Sequence, residues 1–146
     1  MTLNIHILEC YIPVNMIHSE TELSMFHFLN RKPAGLKGLT AADVVAAGAA
    51  GEITLLDIRE LAEIQATGLA KGAVHAPLMT LQFRADPRHP DYDKRLKPEA
   101  KIAVYCASGA RSVGAIRILK SLGYGDVHNI GGLGQWLRAG GELTKG

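Results

Sequence analysis

Cys106 stands where an apolar run, Lys101-Ile102-Ala103-Val104-Tyr105, gives way to a helix-patterned stretch. The residues that follow it are small (Ala107, Ser108, Gly109, Ala110), and then come Arg111 and Ser112. These residue types in this order suit a nucleophilic thiol. A short loop of small residues leading into a helix can turn several backbone N–H groups toward one point, making an anion-binding nest. A thiol at a helix N-terminus beside an arginine has its thiolate favoured by dipole and charge together. An ordinary cysteine, with a pKa of about 8.5, is only a few per cent thiolate at neutral pH, so a modest depression makes most of it nucleophilic. The competing reading is a small buried hydrophobe at a strand end. That reading leaves the small residues, the glycine and the Arg-Ser pair unexplained.

The loop needs a frame, and the flanking pattern predicts one. Thr40 with Asp43 three residues on opens a helix that runs through alanines to Gly48. Ile53 to Ile58 is a short β-rich run bounded by Gly51, and Glu60 to Ala66 a short helix that Gly68 can end. Ala73 to Ala76 is a brief strand stopped by Pro77. Phe83 to Pro98 holds three prolines and many charges, and reads as an exposed excursion. Lys101 to Cys106 is the strongest strand. Arg111 to Leu122 carries Val113, Ile116, Ile118, Leu119 and Leu122 on a helical period, closed by Gly123. Val127 to Ile130 is another strand and Leu133 to Ala139 a last helix. Strands alternating with helices predict an α/β fold: a central, mostly parallel sheet with helices on both faces in three layers. Ligand sites in such sheets form at the carboxyl ends of strands, which is where Cys106 lies.

Composition narrows the function classes. A chain of 146 residues, 47% hydrophobic and 21% charged, suits one globular domain with a short extension. The formal net charge of +2 argues against nucleic acid or an anionic membrane surface as partner. Two cysteines, Cys10 and Cys106, allow no disulfide framework, and no cysteine–histidine spacing suits zinc, so neither metal nor cofactor is expected. An intracellular, reducing setting fits this usage, with the cytoplasm as the default. No apolar run reaches the ~18–20 residues of a membrane span. The N-terminal stretch, with Glu9, Pro13 and Asn15 and no early Lys or Arg, makes a poor signal peptide.

Several ordered motifs resemble those of the rhodanese-like sulfurtransferases, over roughly residues 36–144. Cys106 and Arg111, with four residues between, match that family's active-site loop. Leu55-Leu56-Asp57-Ile58-Arg59-Glu60 looks like its Asp-x-Arg-Glu strand end, and Gly68 through Pro77 like the segment that follows. Gly123-Tyr124, Asn129-Ile130-Gly131-Gly132-Leu133 and Trp136 look like its closing motif. Leu69 stands where the family often has histidine, and His75 where it often has asparagine. The resemblance implies a rhodanese-like domain over residues 36–146, preceded by an extension (1–35) that is irregular or a short helix. It also implies a mechanism. The Cys106 thiolate takes the outer sulfur of a small anionic donor such as thiosulfate and holds it as a persulfide. A thiophilic acceptor (cyanide or a thiol, a dithiol protein among them) then removes it. The N–H groups of Ala107, Ser108, Gly109, Ala110 and Ser112 would stabilise the anionic sulfur, and Arg111 would meet the donor's anionic end. The related phosphatases and arsenate reductases carry one more residue between cysteine and arginine, and noncatalytic modules on this fold lack one of the two.

The remaining candidates read more plainly. Asp57 and Arg59 are expected near the loop, chiefly as an ion pair fixing the fold and keeping the carboxylate from raising the thiol's pKa. His75 suits a structural strand residue better than a base. The hydroxyls of Ser108 and Ser112 are candidate donors to substrate, with a helix-cap role equally open for Ser112. Trp136 reads as packing in the last helix, with a place near the pocket rim as the alternative. Arg84 to His89 reads as solvated surface rather than a docking loop, and Cys10 as an ordinary thiol. Ser19 to Glu22 ahead of Leu23, Phe26 and Leu29 marks a short helix around 20–31, and Met16 and Met25 are alternative starts.

Overall fold

The computed structural model describes residues 38–48 and 51–145. The expectations for residues 1–35, Cys10 among them, lie outside these. In chain order the elements are α1 (Ala41–Ala47), β1 (Ile53–Asp57), α2 (Leu61–Thr67), β2 (Leu69–Ala70), β3 (Val74–His75), α3 (Leu81–Arg84), β4 (Lys101–Cys106), α4 (Ala110–Ser121), β5 (Val127–Gly132), α5 (Leu133–Arg138) and β6 (Leu143–Thr144).

The local signals explain most of the boundaries. At α1 the Asp43 N–H donates to Thr40 Oγ1 at 3.2 Å and the Thr40 N–H to Asp43 Oδ2 at 3.0 Å, a reciprocal cap. Gly48, at φ 56°, ends that helix. The four strands β3-β1-β4-β5 form one sheet, in that order and parallel throughout, with β1 and β4 in the middle. Burial on both faces is why β4 reads as an unbroken apolar run. Alternation along it sends Ile102, Val104 and Cys106 into one core and Ala103 and Tyr105 into the other. The first core also takes Leu81 of α3 and Ala115 and Leu119 of α4. The second takes Ala41 and Val44 of α1 and Trp136 of α5. Helices thus cover both faces.

Two features depart from the pattern-based expectation. The excursion after Phe83 is not simply exposed: Ala85 and Leu96 are fully buried, and the Tyr124 hydroxyl donates to both their carbonyls, at 2.9 and 3.0 Å. Its charges and prolines concealed two apolar anchors that only a residue far along the chain could hold. β2 and β6 form a separate antiparallel pair that two-residue strands do not announce in a sequence.

Candidate active site

The ends of β4 and β5 build the Cys106 loop. Pairing between these strands breaks register after Val104, and Cys106 lies opposite Gly132. The loop then rests on the Asn129–Gly132 segment. Asn129 Nδ2 donates to the Gly109 carbonyl at 3.0 Å, while its Oδ1 accepts the Gly131 N–H at 2.9 Å. A Cβ on Gly132 would stand 2.1 Å from the Ala107 oxygen, so the loop backbone can lie there only over a glycine. Gly109 itself sits at φ 95°, in the left-handed region, packed on Gly131. That turn starts α4, whose twelve residues direct their N-terminus at the thiol.

Cys106 is fully buried beneath this loop. The Gly109 N–H donates to its sulfur at 3.0 Å. Burial by itself would push the thiol's pKa up. The Ser112 hydroxyl and the N–H groups of Ser108, Ser112 and Gly109 outweigh burial, and the thiol lies below its ordinary value. Ser112 is also fully buried, and its Oγ has no hydrogen-bond partner of regular geometry. It faces the sulfur close enough to favour the thiolate without closing a regular bond. Ser112 therefore sits with the sulfur, inside the first turn, rather than capping the helix, which begins at Ala110 with Gly109 ahead of it. Ala107, Ser108 and Ala110 are exposed and form the rim.

Arg111 brings in a residue that sequence reasoning missed. Its Nη1 and Nη2 donate to Glu63 Oε2 and Oε1 at 2.8 and 2.7 Å, a bidentate ion pair between the first turns of α4 and α2. Hydrogen bonds from Arg111 and from the Glu60 N–H hold the Glu63 carboxyl down at about 2. Arg111 is pushed up, mainly by Glu63 and in lesser part by the Cys106 thiolate nearby. Nothing in the spacing of Glu63 and Arg111, 48 residues apart, foretells the pair.

Asp57 and Arg59 lie at the same sheet edge, on the Tyr105 side of β4. Arg59 Nε and Nη2 donate to the Asp57 carboxylate at 2.8–3.1 Å, and the other guanidinium bonds go to Thr67 Oγ1 and the Gly68 carbonyl. The Tyr105 hydroxyl donates to Asp57 Oδ2 and accepts the Ala70 N–H. Asp57 and Arg59 are buried and contact no residue of the 107–112 loop through these bonds. His75 Nε2 meets the Arg59 carbonyl at 2.8 Å, which fits its structural reading. Trp136 packs in the second core and donates to the Glu142 carbonyl at 3.0 Å, on the sheet face opposite Cys106.

A buried, activated thiol under a ring of N–H groups, with an arginine beside it, can attack an electrophilic sulfur and hold the resulting anion. Residues 40–139 match the rhodanese-like domain model. The chain belongs to the rhodanese-like domain family. Within and beyond that family, it is 37% identical over 90 residues to a sulfurtransferase of Allochromatium vinosum, covering 61% of this chain and 76% of that protein. The human single-domain sulfurtransferase has a similar fold, with a TM-score of 0.58 and 25% identity over 71% of this chain and 97% of the other. A protein from Rhodopseudomonas palustris CGA009, described as a possible tyrosine phosphatase, is similar at a TM-score of 0.65 and 27% identity, over 92% and 100% of the two chains. Among the described residues no helix of this rhodanese-like protein is long and apolar enough to cross a membrane, and no group of three or more His, Cys, Asp or Glu could hold a metal.

Proposed function

We propose that this protein is a sulfurtransferase that carries sulfane sulfur as a persulfide on Cys106, in a domain spanning residues 36–146. The observation that carries the reading is a fully buried thiol before the N-terminus of α4, with the Gly109 N–H donating to its sulfur at 3.0 Å and Arg111 in the first turn of that helix. In the first half-reaction the Cys106 thiolate attacks the outer sulfur of a donor such as thiosulfate, and sulfite leaves with the electron pair of the broken sulfur–sulfur bond. In the second, cyanide or a thiol attacks the outer sulfur of the persulfide and restores the thiolate. Ala107, Ser108, Gly109, Ala110 and Ser112 supply the N–H cradle, and Arg111 ties the loop to α2 and favours negative charge at the sulfur. Asp57 and Arg59 support the sheet end. The family match and the Allochromatium vinosum relative support sulfur transfer as the chemistry. The cytoplasm is the proposed location, on the cysteine usage alone.

The test is intact-protein mass spectrometry. Thiosulfate adds one sulfur (~32 Da) and cyanide removes it, while Cys106→Ser takes up none and Cys10→Ser still does. An adduct that survives Cys106→Ser sinks the assignment. The likeness to the possible phosphatase of Rhodopseudomonas palustris favours one second reading, phosphoryl chemistry at the same thiol. Four residues between Cys106 and Arg111 make a small ring of N–H groups, which suits a single sulfur better than a tetrahedral oxyanion. Thiosulfate:cyanide and phosphatase assays on one sample separate the two, and a chain active only in the second would overturn the proposal.

A further inference from the structure

The geometry at the sulfur turns on Gly109. Its N–H donates to Cys106 Sγ at 3.0 Å, and its φ of 95° makes the bend from which α4 starts. A left-handed residue followed by a helical one brings successive N–H groups to one side, so the Ala110 N–H opens toward the same space as that of Gly109. A glycine has no Cβ to hold it in such a bend and takes other backbone angles as readily. The partners of its two peptide groups therefore keep it there. The sulfur holds one of them, and in the transfer proposed above the charge on that sulfur changes with each half-reaction. Asn129 holds the other.

Asn129 stands two residues after Val127, which packs in one core with Ala115 and Leu119 of α4. Strand alternation thus puts Asn129 on the face of β5 that α4 covers. Both ends of its amide are engaged: Nδ2 donates to the Gly109 carbonyl at 3.0 Å, and Oδ1 accepts the Gly131 N–H at 2.9 Å. The partners fix this orientation, because a reversed amide would set donor against donor and acceptor against acceptor. The carbonyl of the residue before a helix also serves the first helical hydrogen bond. Asn129 therefore ties the start of α4 itself to the end of β5, the strand beside the one that carries Cys106. On the far side of Ala110, Arg111 fastens the same helical turn to α2 through Glu63. That second tie is charged and about one-third exposed, so salt and acid weaken it. The Asn129 tie is neutral and responds to neither.

We propose that Asn129 is a positioning residue for the Cys106 nucleophile, holding the first turn of α4 so that the N–H groups of Gly109 and Ala110 face the reacting sulfur. The role rests on the persulfide reading above. The amide bonds to backbone groups alone, so it governs the rate of the sulfur step rather than the binding of a donor.

The experiment uses two substitutions in the full chain. Asn129→Leu keeps the shape and removes both bonds, whereas Asn129→Asp keeps the acceptor for Gly131 and removes only the donor to Gly109. The side chain is exposed, so both variants fold. Three quantities are read: single-turnover sulfur loading from thiosulfate by intact mass, the pH dependence of Cys106 alkylation by iodoacetamide, and thermal unfolding. Loading at saturating thiosulfate falls about tenfold in both variants, the scale of a small misplacement of reacting groups, while the half-saturating concentration stays near that of the wild type. The thiol titration moves up by about one unit, as one weakened hydrogen bond to a charged group does. In Asn129→Asp the new carboxylate adds to this rise. Repeating the titration in high salt removes the part due to charge and leaves the part due to the lost donor. A purely structural asparagine would lower the melting temperature and leave the loading rate and the titration of the folded protein unmoved, and that result overturns the proposal. A change confined to Asn129→Asp overturns it too, because charge alone would then be the cause. A wild-type Cys106 that takes up no sulfur counts against the persulfide reading alone, since the alkylation titration of the variants still decides the role of Asn129.

Discussion

Tyr105 and Cys106 are neighbours on β4, equally buried, and point to opposite faces of the sheet. On the Tyr105 face, Asp57, Arg59 and Tyr105 close a network in which the Arg59 donors meet a carboxylate, a hydroxyl and a carbonyl, and the tyrosine hydroxyl both donates and accepts. On the Cys106 face, the Gly109 N–H reaches the sulfur at 3.0 Å, the N–H groups of Ser108 and Ser112 also favour its charge, and the Ser112 hydroxyl is left without a regular partner. A saturated buried network is rigid and inert, because each lone pair and proton is committed. An undersaturated one at a helix N-terminus keeps a nucleophile available and a donor ready for the charge that arrives on it. Burial alone does not distinguish the two clusters; completeness of hydrogen bonding does.

That contrast breaks first at Cys106. Cys106→Ser is expected to remove sulfur transfer altogether while leaving the melting temperature nearly unchanged, measured by thiosulfate:cyanide turnover and thermal unfolding. On the opposite face the pattern inverts. Arg59→Met leaves the Asp57 carboxylate buried and unpaired, and should cost about 3–5 kcal/mol in urea unfolding. The Cys106 titration of the remaining folded protein should stay as it was. A large change there would show that the two faces are coupled.

Smaller effects sharpen the comparison within the active face. Gly132→Ala sets a Cβ against the Ala107 oxygen and must displace the loop. Sulfur transfer should fall by about tenfold or more, given the strictness of near-attack geometry, with a smaller fall in stability. Full activity in a well-folded Gly132→Ala protein would show that the platform does not position the loop. Ser112→Ala removes a group that favours the thiolate, so the thiol pKa should rise, as read from the pH dependence of iodoacetamide alkylation. An unmoved titration would assign the whole depression to the N–H groups. The smallest effect belongs to Glu63. Its carboxyl is lowered from 4.5 to about 2 in the folded protein, so its contribution to stability is complete above about 4.5 and is lost as pH falls toward 2. Glu63→Gln should flatten that acid limb of the unfolding curve, modestly, because the pair is about one-third exposed.

The frame was legible in the residues themselves, as was the cysteine we propose as the nucleophile. Burial of β4 on both faces demands the apolar run that ends at Cys106. Thr40 with Asp43, and Gly48, mark α1 because cap chemistry is local. Gly109 and the small residues beside it mark a loop because only they allow its turn. What the tertiary structure alone decided was which groups meet across distance. The Glu63–Arg111 pair, the Tyr124 anchor beneath the excursion, and the seat of the Ala107 oxygen over Gly132 each join segments that no local pattern relates. The assignment of Tyr105 and Cys106 to opposite cores follows from strand alternation. That one of those cores completes its hydrogen bonds and the other does not depends on where Thr67, Gly68 and Ala70 are folded back against the sheet. Periodicity and propensity act between near neighbours, whereas the charge state of a site is the sum of everything the fold brings to it. The arginine that the sequence offers as a free cation is, in the folded chain, half of an ion pair.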